Sequence, residues 1–397
     1  MTEAAVASPL HKSEASHLRL FLSADIVGST AFKQNASALE AQEMLDDNGQ
    51  IKNAAFPSWF TIVLQFYQQS EQTFAMQWQG ITEQKVSDAE GTDFFGEPPE
   101  LWKTIGDEVL FTKRVDHPWQ AVVCMHAWVA TLDVLRTFLS ENKLNVKSTA
   151  WLADFPLRNH EIVLRKVTTA SLNEVDDTYI LNNQNGLRDF YEENKGGYVR
   201  DFIGPSIDTG FRVTGFASIR KLALSAELTF LLSCEQVRAQ NEPKTYAQRS
   251  YVLPSFPLRY DGRQQLKGVL NGSGYPIFWI DLDPNNPLSL AEDKVTNNHY
   301  PTTLDIFNLS SAFIESQPLF LSKPYMAACN YKEYGELSSY QRQMLQKRAD
   351  HIQELERQRA DMSSISDTQP GTSENPDLDL DLNDILWKHG VESPTAE

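Results

Sequence analysis

The segment LWKTIGDEVLFTK, residues 101–113, constrains the fold most, because two apolar runs flank Gly106-Asp107 and predict a tight β-hairpin. An earlier segment, FLSADIVGST, is an apolar strand that ends in Asp25 and then turns into a helix. Taken singly, Asp25 is an ordinary helix cap and Asp107 an ordinary turn residue. If the two strands are neighbours in one sheet, however, the two carboxylates meet at its edge.

The order of the predicted elements is strand, two helices, hairpin, helix, strand, helix, strand. This order predicts an α+β fold, a sandwich of helices packed on a mainly antiparallel sheet. The boundaries expected from apolar periodicity are strands at 18–27 and 221–233, helices at 36–48, 58–73 and 118–141, and a polar loop at 173–197.

The composition limits the classes of function. The chain has 397 residues, of which 41% are hydrophobic and 22% charged, as in a globular protein with a sizeable core. Its formal net charge of -18 repels nucleic-acid polymers and anionic lipid headgroups, so neither a nucleic acid nor a membrane is expected as a partner. A small phosphorylated ligand held by metal ions is compatible with this charge.

The cysteines and the N-terminus bear on the compartment. Cys124, Cys234 and Cys329 lie in apolar surroundings without CxxC spacing, which argues against disulfides or zinc and favours buried thiols in a reducing compartment. The first residues lack the apolar core of a signal peptide, and no window is expected to match a membrane span. We therefore expect a cytoplasmic protein.

A divalent cation explains why two acids would lie together. Two carboxylates a few ångströms apart repel each other, and a cation bound by their oxygens removes that cost. Mg²⁺ or Mn²⁺ is the expected ion, with the main-chain carbonyl of Ile26 as a further ligand. Gly28, Ser29 and Thr30 follow at a helix start, where N–H groups form an anion site and glycine permits close approach.

Two of these segments, FLSADIVGSTAF and WKTIGDEVLF, resemble in order and spacing the metal motifs of the class III nucleotidyl cyclases. A third, DFIGPSIDTGFRV, resembles the family helix that carries Asn and, four residues on, Arg. Arg212 matches the transition-state arginine, whereas Asp208 stands where the family usually has Asn. Asp208 can accept a hydrogen bond from a ribose hydroxyl, but it lacks the amide donor. Lys267, in QLKGVLNG, resembles the phosphate-holding lysine.

The resemblance implies a ferredoxin-like α/β sandwich that binds two Mn²⁺ or Mg²⁺ ions per active site. The implied reaction is attack of the ribose 3′-oxygen of a nucleoside triphosphate on the α-phosphorus, with diphosphate leaving. In this family the site lies between two domains. The resemblance therefore implies a head-to-tail homodimer in which Asp25 and Asp107 of one subunit face Arg212 of the other.

The base is read in purine cyclases of this class by a lysine and an acid, at positions that resemble Lys103 and Asp201. A lysine donates and an aspartate accepts, which by edge chemistry favours adenine or cytosine over guanine or uracil. The helical insert and the C-terminal extension, however, resemble the pyrimidine cyclases of bacterial Pycsar antiphage systems. That resemblance implies UTP as substrate, with CTP next, and a separate effector protein that the cyclic nucleotide activates in abortive infection.

A pyrimidine is smaller than a purine and leaves space beside the base. Aromatic residues of the insert are expected to fill that space by stacking, and the candidates are Trp59, Phe60 and Tyr67, unless these belong to the core.

The predicted segments are a leader (1–17), a nucleotidyl cyclase catalytic domain (18–282), a C-terminal sensor-like module (283–334), a polar helix (335–362) and a disordered acidic tail (363–397). Two other functions stay open: an adenylate cyclase, and a catalytically inactive nucleotide-binding signalling module.

Overall fold

Strand β1 (His17–Val27) lies inside the sheet and pairs on both sides, antiparallel to β3 (Glu108–Val115) and to β4 (Asn145–Phe155). In this computed structural model, the described residues are 14–43, 57–83, 95–166, 178–192, 195–241, 254–296, 300–327, 329 and 331–366. The chain divides into two units, Met1–Asp350 and His351–Glu397, and all predicted site residues belong to the first.

The remaining strands extend this sheet or form a separate ribbon. They are β2 (Glu100–Ile105), β5 (His160–Arg165), β6 (Tyr198–Ile203), β7 (Lys221–Leu224), β8 (Leu258–Gln264) and β9 (Tyr275–Asp281). Within the described residues the sheet has seven strands in the order β2-β3-β1-β4-β7-β9-β8, while β5 and β6 form an antiparallel pair. The β4–β7 pair is parallel, and the other pairs of the sheet are antiparallel.

The described helices number nine, and some of them pack on each face of the sheet. They are α1 (Ser29–Glu43), α2 (Ser58–Thr82), α3 (Pro118–Ser140), α4 (Thr178–Glu192), α5 (Pro205–Val213), α6 (Ala226–Asn241), α7 (Pro287–Val295), α8 (Thr303–Ser316) and α9 (Ser339–Ser366), with 3-10 turns at Lys195–Gly197, Thr214–Phe216 and Leu270–Gly272. The sheet order β2-β3-β1-β4, with helices between β1 and β2 and between β3 and β4, is the ferredoxin-like arrangement. The predicted α+β class with a mainly antiparallel sheet is confirmed.

Alternation along β1 builds two cores. Leu20 and Leu22 belong to the larger core, which also contains buried residues of α2, α3 and α6. Phe21 points to the opposite face, where it stacks on Trp151 at a centroid distance of 5.4 Å within a smaller aromatic core that includes Phe202. Asp25 is in phase with Phe21, so its side chain lies on the smaller-core face at the end of the strand.

Two sequence predictions of secondary structure are wrong. The segment 221–233 is not one strand, because the strand ends at Leu224 and the chain continues as α6. The Ser225 hydroxyl accepts a hydrogen bond from the N–H of Leu228, at 3.2 Å, as a helix cap does. The predicted loop at 173–197 contains α4, whose apolar residues Leu187 and Phe190 pack under β5.

Other predicted boundaries were shifted. Helix α1 begins at Ser29 instead of residue 36, and α2 runs on to Thr82. The polar helix predicted at 335–362 is observed as α9, whereas residues 367–397 of the predicted acidic tail lie outside the described residues, as do residues 1–13 of the predicted leader.

Helix α3 corrects the expectation that no segment matches a membrane span. Among the described residues, α3 is the single helix that is long and apolar enough, by length and composition, to cross a bilayer, and its mean hydropathy is 1.4. More than half of that stretch, 56%, is buried inside the protein, where Leu132 and Leu135 pack in the larger core. Cys124 of this helix is a buried free thiol, and so is Cys234; Cys329 is partly buried.

The segment predicted as a C-terminal module contains α7 and α8. Ile306 and Ile314 of α8 are buried in the larger core, together with residues of the sheet and α6, whereas Leu288 and Val295 of α7 are exposed. Phe307 of α8 lies 5.5 Å from Phe230 of α6, and Phe313 lies 5.9 Å from Tyr275 of β9, measured between ring centroids. The larger core is therefore formed jointly by residues 18–282 and α8.

Candidate active site

The two predicted acids meet at the end of β1. Asp25 stands opposite Glu108 of β3 in the antiparallel ladder, which places it beside the β2–β3 turn. Gly106 adopts a φ of +66° in that turn, a left-handed conformation that favours glycine, and Asp107 follows at its tip. The carboxyl groups of Asp25 and Asp107 are close enough to interact directly. Sheet register thus produces the pairing that the sequence predicted.

Asp107 is held by the start of α1. The Ser29 hydroxyl donates a hydrogen bond to Asp107 Oδ2, and Lys33 Nζ lies 3.0 Å from Asp107 Oδ1. Gly28, with a φ of +83°, lets the chain turn sharply from β1 into α1. The helix start that was predicted to bind phosphate at Gly28, Ser29 and Thr30 is therefore adjacent to the acids, and the Ser29 side chain is bonded to one of them.

The two acids have different electrostatic surroundings. Burial raises the pKa of Asp25, and the Asp107 carboxylate adds to the rise, although Lys147 partly offsets it. Burial also opposes ionisation of Asp107, but the hydrogen bonds from Ser29 and Lys33 outweigh it and lower the pKa of Asp107. The pair is therefore uneven, with Asp107 the stronger acid.

A third acid, Glu108, adjoins this pair, and the sequence analysis did not single it out. Its Oε1 atom is buried without a hydrogen-bond partner among the described residues. Burial raises the pKa of Glu108, and the negative charge of Asp25 adds to the rise. Glu108 thus adds a third carboxyl group beside the two acids, next to the ammonium groups of Lys33 and Lys147.

This donor set fits a divalent cation that takes few protein ligands. The side chains of Asp25 and Asp107 are 23% and 20% exposed, so a ligand can reach both. Among the described residues, no three His, Cys, Asp or Glu side chains converge into a metal cage. A cation at the two acids would complete its shell from main-chain oxygen, water or phosphate, as Mg²⁺ commonly does. The predicted Ile26 carbonyl ligand stays a prediction.

The two predicted cationic side chains, Arg212 and Lys267, lie apart from the two acids, along a cavity of about 630 Å³. Asp208 and Arg212 line it from α5, and Lys267 lines it from the loop between β8 and β9. Within the described residues, neither Arg212 nor Lys267 forms an ion pair. Their charges are therefore available to an anionic ligand, and Asp25 and Asp107 do not line this cavity.

Helix α5 is fixed by close packing. Gly204 precedes it with a φ of +137°, and Pro205 occupies its first turn. A Cβ on Gly210 would meet the Trp151 ring at 2.4 Å, so the helix approaches β4 more closely than any side chain would permit. This approach leaves Asp208 and Arg212, one turn apart, on the exposed side of α5.

The C-terminal segment also contributes to the cavity. Leu319, Phe320 and Leu321 line it, and the Phe320 carbonyl accepts a hydrogen bond from Arg158. Arg158 is also bound by Asp154, with its Nε atom 3.0 Å from Asp154 Oδ1, so its charge is compensated within the protein. Arg158 is consequently a structural residue of the cavity wall.

The predicted base-binding residues are in direct contact. Lys103 of β2 places its Nζ atom 2.8 Å from Asp201 Oδ1 of β6. The candidate aromatic residues of the insert differ among themselves. Trp59 packs against the larger core, Phe60 is 40% exposed, and Tyr67 donates its hydroxyl to the Gly106 carbonyl, which makes it a support of the hairpin turn.

Comparison with known proteins gave structural similarities alone. No protein-family model matches the sequence, and no curated protein matches it. The adenylyl cyclase CyaB from P. aeruginosa aligns with 67% of this chain and 94% of its own, at 10% identity and a TM-score of 0.37. The guanylate cyclase domain of RhGC from Catenaria anguillulae, solved with GTP, aligns with 67% of this chain and 97% of its own, at 11% identity and a TM-score of 0.35. The non-canonical dimeric guanylyl cyclase domain of the RhoGC fusion protein from Blastocladiella emersonii aligns with 67% of this chain and 97% of its own, at 11% identity and a TM-score of 0.36. Similarity at these TM-scores does not establish the activity of this chain.

Proposed function

We propose that the chain is a nucleotidyl cyclase that converts a nucleoside triphosphate to a 3′,5′-cyclic nucleotide and diphosphate. One observation carries the proposal: Asp25 and Asp107 interact at the end of β1, while Arg212 and Lys267 lie without ion-pair partners, among the described residues, in a separate cavity. The sequence motifs that hold these four residues resemble those of class III cyclases, so position and motif agree.

Asp25 and Asp107 would hold Mg²⁺ or Mn²⁺, two ions per site by the family resemblance, with the Ile26 carbonyl as a further ligand. When bound, such ions lower the pKa of the ribose 3′-hydroxyl and neutralise the triphosphate. Gly28, Ser29 and Thr30 would direct N–H groups towards the phosphates from the start of α1.

Arg212 and Lys267 would supply the remaining charge. As the 3′-oxygen bonds to the α-phosphorus and the bond to the diphosphate oxygen breaks, negative charge grows on the non-bridging and leaving oxygens. A guanidinium and an ammonium without ion-pair partners can stabilise that charge at no cost in broken ion pairs. Asp208 would accept a hydrogen bond from a ribose hydroxyl and orient the sugar.

The separation of the two acids, Asp25 and Asp107, from the cationic side chains of the other cavity supports a homodimeric site. One subunit would present Asp25 and Asp107 to the triphosphate, and its partner would present Arg212 and Lys267 in a head-to-tail arrangement. A closed twofold dimer of this kind contains two equivalent sites. Monomers would then hold nucleotide weakly, because each carries half of the groups that bind it.

The proposed substrate is a pyrimidine triphosphate, UTP first and CTP next, on the resemblance to the Pycsar cyclases. The cyclic product would activate a separate effector in antiphage abortive infection. The contact between Lys103 and Asp201 favours a base with an amino donor beside a ring acceptor, as in cytosine or adenine. An adenylate cyclase is therefore the second candidate.

The direct test is incubation of the purified chain with each of the four ribonucleoside triphosphates and Mn²⁺ or Mg²⁺, followed by mass spectrometry of the products. We expect cyclic UMP or cyclic CMP, and no product from Asp25→Ala. Cyclic AMP alone would contradict the pyrimidine assignment. No cyclic product from any triphosphate, with wild type and Asp25→Ala indistinguishable, would contradict catalysis.

A further inference from the structure

We infer that Trp102 is a positioning residue for base discrimination, which acts by fixing the Lys103–Asp201 pair in one orientation. The inference rests on the proposed function, because it concerns how that pair selects a base. It adds a residue that the sequence motifs do not indicate. Four features of the structure support it: the strand irregularity at Trp102, its hydrogen bond, its contact with Lys103 and its aromatic surroundings.

A β-bulge brings Trp102 and Lys103 to the same face of the sheet. Leu101 pairs with Phe111 and Lys103 with Leu110, so Trp102 is an extra residue with no partner in the β2–β3 ladder. Neighbouring residues of a regular strand point to opposite faces. Here the bulge cancels that alternation, and both side chains reach Asp201 on the neighbouring ribbon.

Asp201 Oδ1 accepts three hydrogen bonds. Trp102 Nε1 donates at 3.1 Å, Lys103 Nζ at 2.8 Å and the N–H of Phe202 at 2.9 Å. Three donors on one oxygen fix the rotation of the carboxylate about its terminal torsion, which is otherwise soft. Among the described residues no hydrogen bond to Oδ2 is found, so that oxygen is the acceptor left for a base.

Trp102 also fixes the donor of the pair. Lys103 Nζ lies 4.1 Å from the centroid of the Trp102 ring, within the range of a cation–π contact. The indole ring is packed edge-to-face against Phe21 and Phe202, each at a centroid distance of 5.2 Å. A rigid ring that contacts both members of the pair sets the distance and angle between a base donor and a base acceptor.

Without the indole N–H, the Asp201 carboxylate would turn more freely and accept from differently placed donors. The pair would then discriminate less between bases that present an amino group and bases that present a carbonyl. The loss concerns selectivity more than turnover, because Trp102 is not among the residues that line the cavity of Arg212 and Lys267.

The test compares Trp102→Phe with a matched control, Trp279→Phe. Trp279 Nε1 donates to Asp261 Oδ1 at 2.8 Å, and Lys221 Nζ lies 4.8 Å from its ring. The control thus removes the same kind of hydrogen bond from a similar trio away from the proposed site. Both substitutions keep an aromatic ring, and circular dichroism and thermal unfolding check the fold of each variant.

Two quantities are measured for all four ribonucleoside triphosphates: kcat and KM for cyclisation, and Kd by calorimetry with the 3′-deoxy analogues, which cannot cyclise. For Trp102→Phe we expect the preference between the best and the next base to fall on the order of tenfold, mainly through KM and Kd. Trp279→Phe should keep the wild-type preference. Trp102→His, which retains a ring N–H, should restore part of it.

The inference is overturned if Trp102→Phe keeps the wild-type base preference, if Trp279→Phe loses it equally, or if the wild type binds all four analogues alike. Failure of the proposed function has a different signature, because a chain that binds one base selectively but yields no cyclic product lacks cyclase activity. In that case, loss of selective binding in Trp102→Phe still supports the inference.

Discussion

Lys147 stands directly opposite Asp25 in the β1–β4 ladder, and its Nζ atom lies 2.9 Å from Asp25 Oδ2. The strand register therefore supplies a counter-charge to an acid whose burial disfavours ionisation. Lys147 thereby lowers the pKa of Asp25, and under the proposed function it would set the pH above which Asp25 can bind a cation.

Replacement of Lys147 by Met should move the acid limb of the activity profile to higher pH. The pKa of Asp25 is already raised, and removal of the ammonium raises it further, so a larger fraction of Asp25 is protonated at a given pH. The measurement is kcat/KM against pH at saturating Mn²⁺, with exposed Lys294→Met as control. An acid limb that stays in place would contradict Asp25 as an essential carboxylate.

Replacement of Asp25 by Asn should separate activity from stability. The folded-state pKa of Asp25 is raised, so at neutral pH its ionised form opposes folding, and the neutral amide removes that cost. We expect activity to fall at least about a hundredfold, and Tm to stay level or rise by about 1–2 °C. A marked fall in Tm would show that the loss of activity reflects misfolding.

Two inactive variants, Asp25→Ala and Arg212→Ala, should complement each other when mixed and allowed to exchange subunits. Random exchange makes half of the dimers mixed, and each mixed dimer has one intact site, so recovery approaches about a quarter of wild-type activity. Absence of any recovery, with exchange verified by two differently tagged subunits, would place the two residues in one subunit's site.

Glu161 joins β1 to the β5–β6 ribbon through buried charge. It accepts from Arg19 Nε at 2.7 Å and from the Tyr191 hydroxyl at 2.6 Å. Burial opposes ionisation of Glu161, but Arg19, His17 and Arg200 outweigh it and lower its pKa strongly. A depressed folded-state pKa means that this stability is present above the ordinary pKa of a glutamate and is lost as the pH falls below it.

Glu161→Gln should therefore lower the free energy of unfolding by about 3 kcal/mol at pH 7, because it leaves Arg19 buried without its main counter-charge. The difference from wild type should shrink as the pH falls below about 4. Urea unfolding at several pH values measures both effects. Glu315→Gln is the control, since Glu315 forms an exposed ion pair with Lys323 and should change stability by under about 1 kcal/mol. Equal effects of the two substitutions would contradict the prediction.

Gly210→Ala should displace α5 from β4, because the added methyl overlaps the Trp151 ring. The expected cost is about 1–3 kcal/mol of stability. Since α5 carries Arg212, kcat should also fall, whereas Gly215→Ala, where a Cβ has open space, should change neither. Wild-type kcat in a folded Gly210→Ala protein would mean that the position of α5 does not limit catalysis.

Local signals predicted the part of the fold in which strand and turn chemistry are unambiguous. The β2–β3 hairpin and α3 were predicted because Gly106-Asp107 marks a turn and the apolar residues of 118–141 recur at helical spacing. The segment 221–233 was misassigned because a continuous apolar run has no period, so that strand and buried helix look alike. Helix α4 was missed because its few apolar residues are spread among polar ones.

The proximity of Asp25 and Asp107 could be predicted from the sequence, whereas the contacts that Lys147 and Trp102 make could not. Asp25 and Asp107 each follow a recognisable strand, so their neighbourhood could be inferred from the chain. Lys147 faces Asp25 through a register set by the whole β1–β4 ladder, and Trp102 reaches Asp201 through a bulge. Neither register nor bulge leaves a local mark in the sequence.

The contacts of Phe313 with Tyr275 and of Phe307 with Phe230 have a consequence for any shortening of the chain. Because α8 packs in the same core as β9 and α6, it is not an independent module that could be added or removed without changing that core. Its removal would expose buried apolar side chains of β9 and α6 to water and promote aggregation. A form of the chain without this segment would have to repack β9 and α6 to bury the same apolar surface.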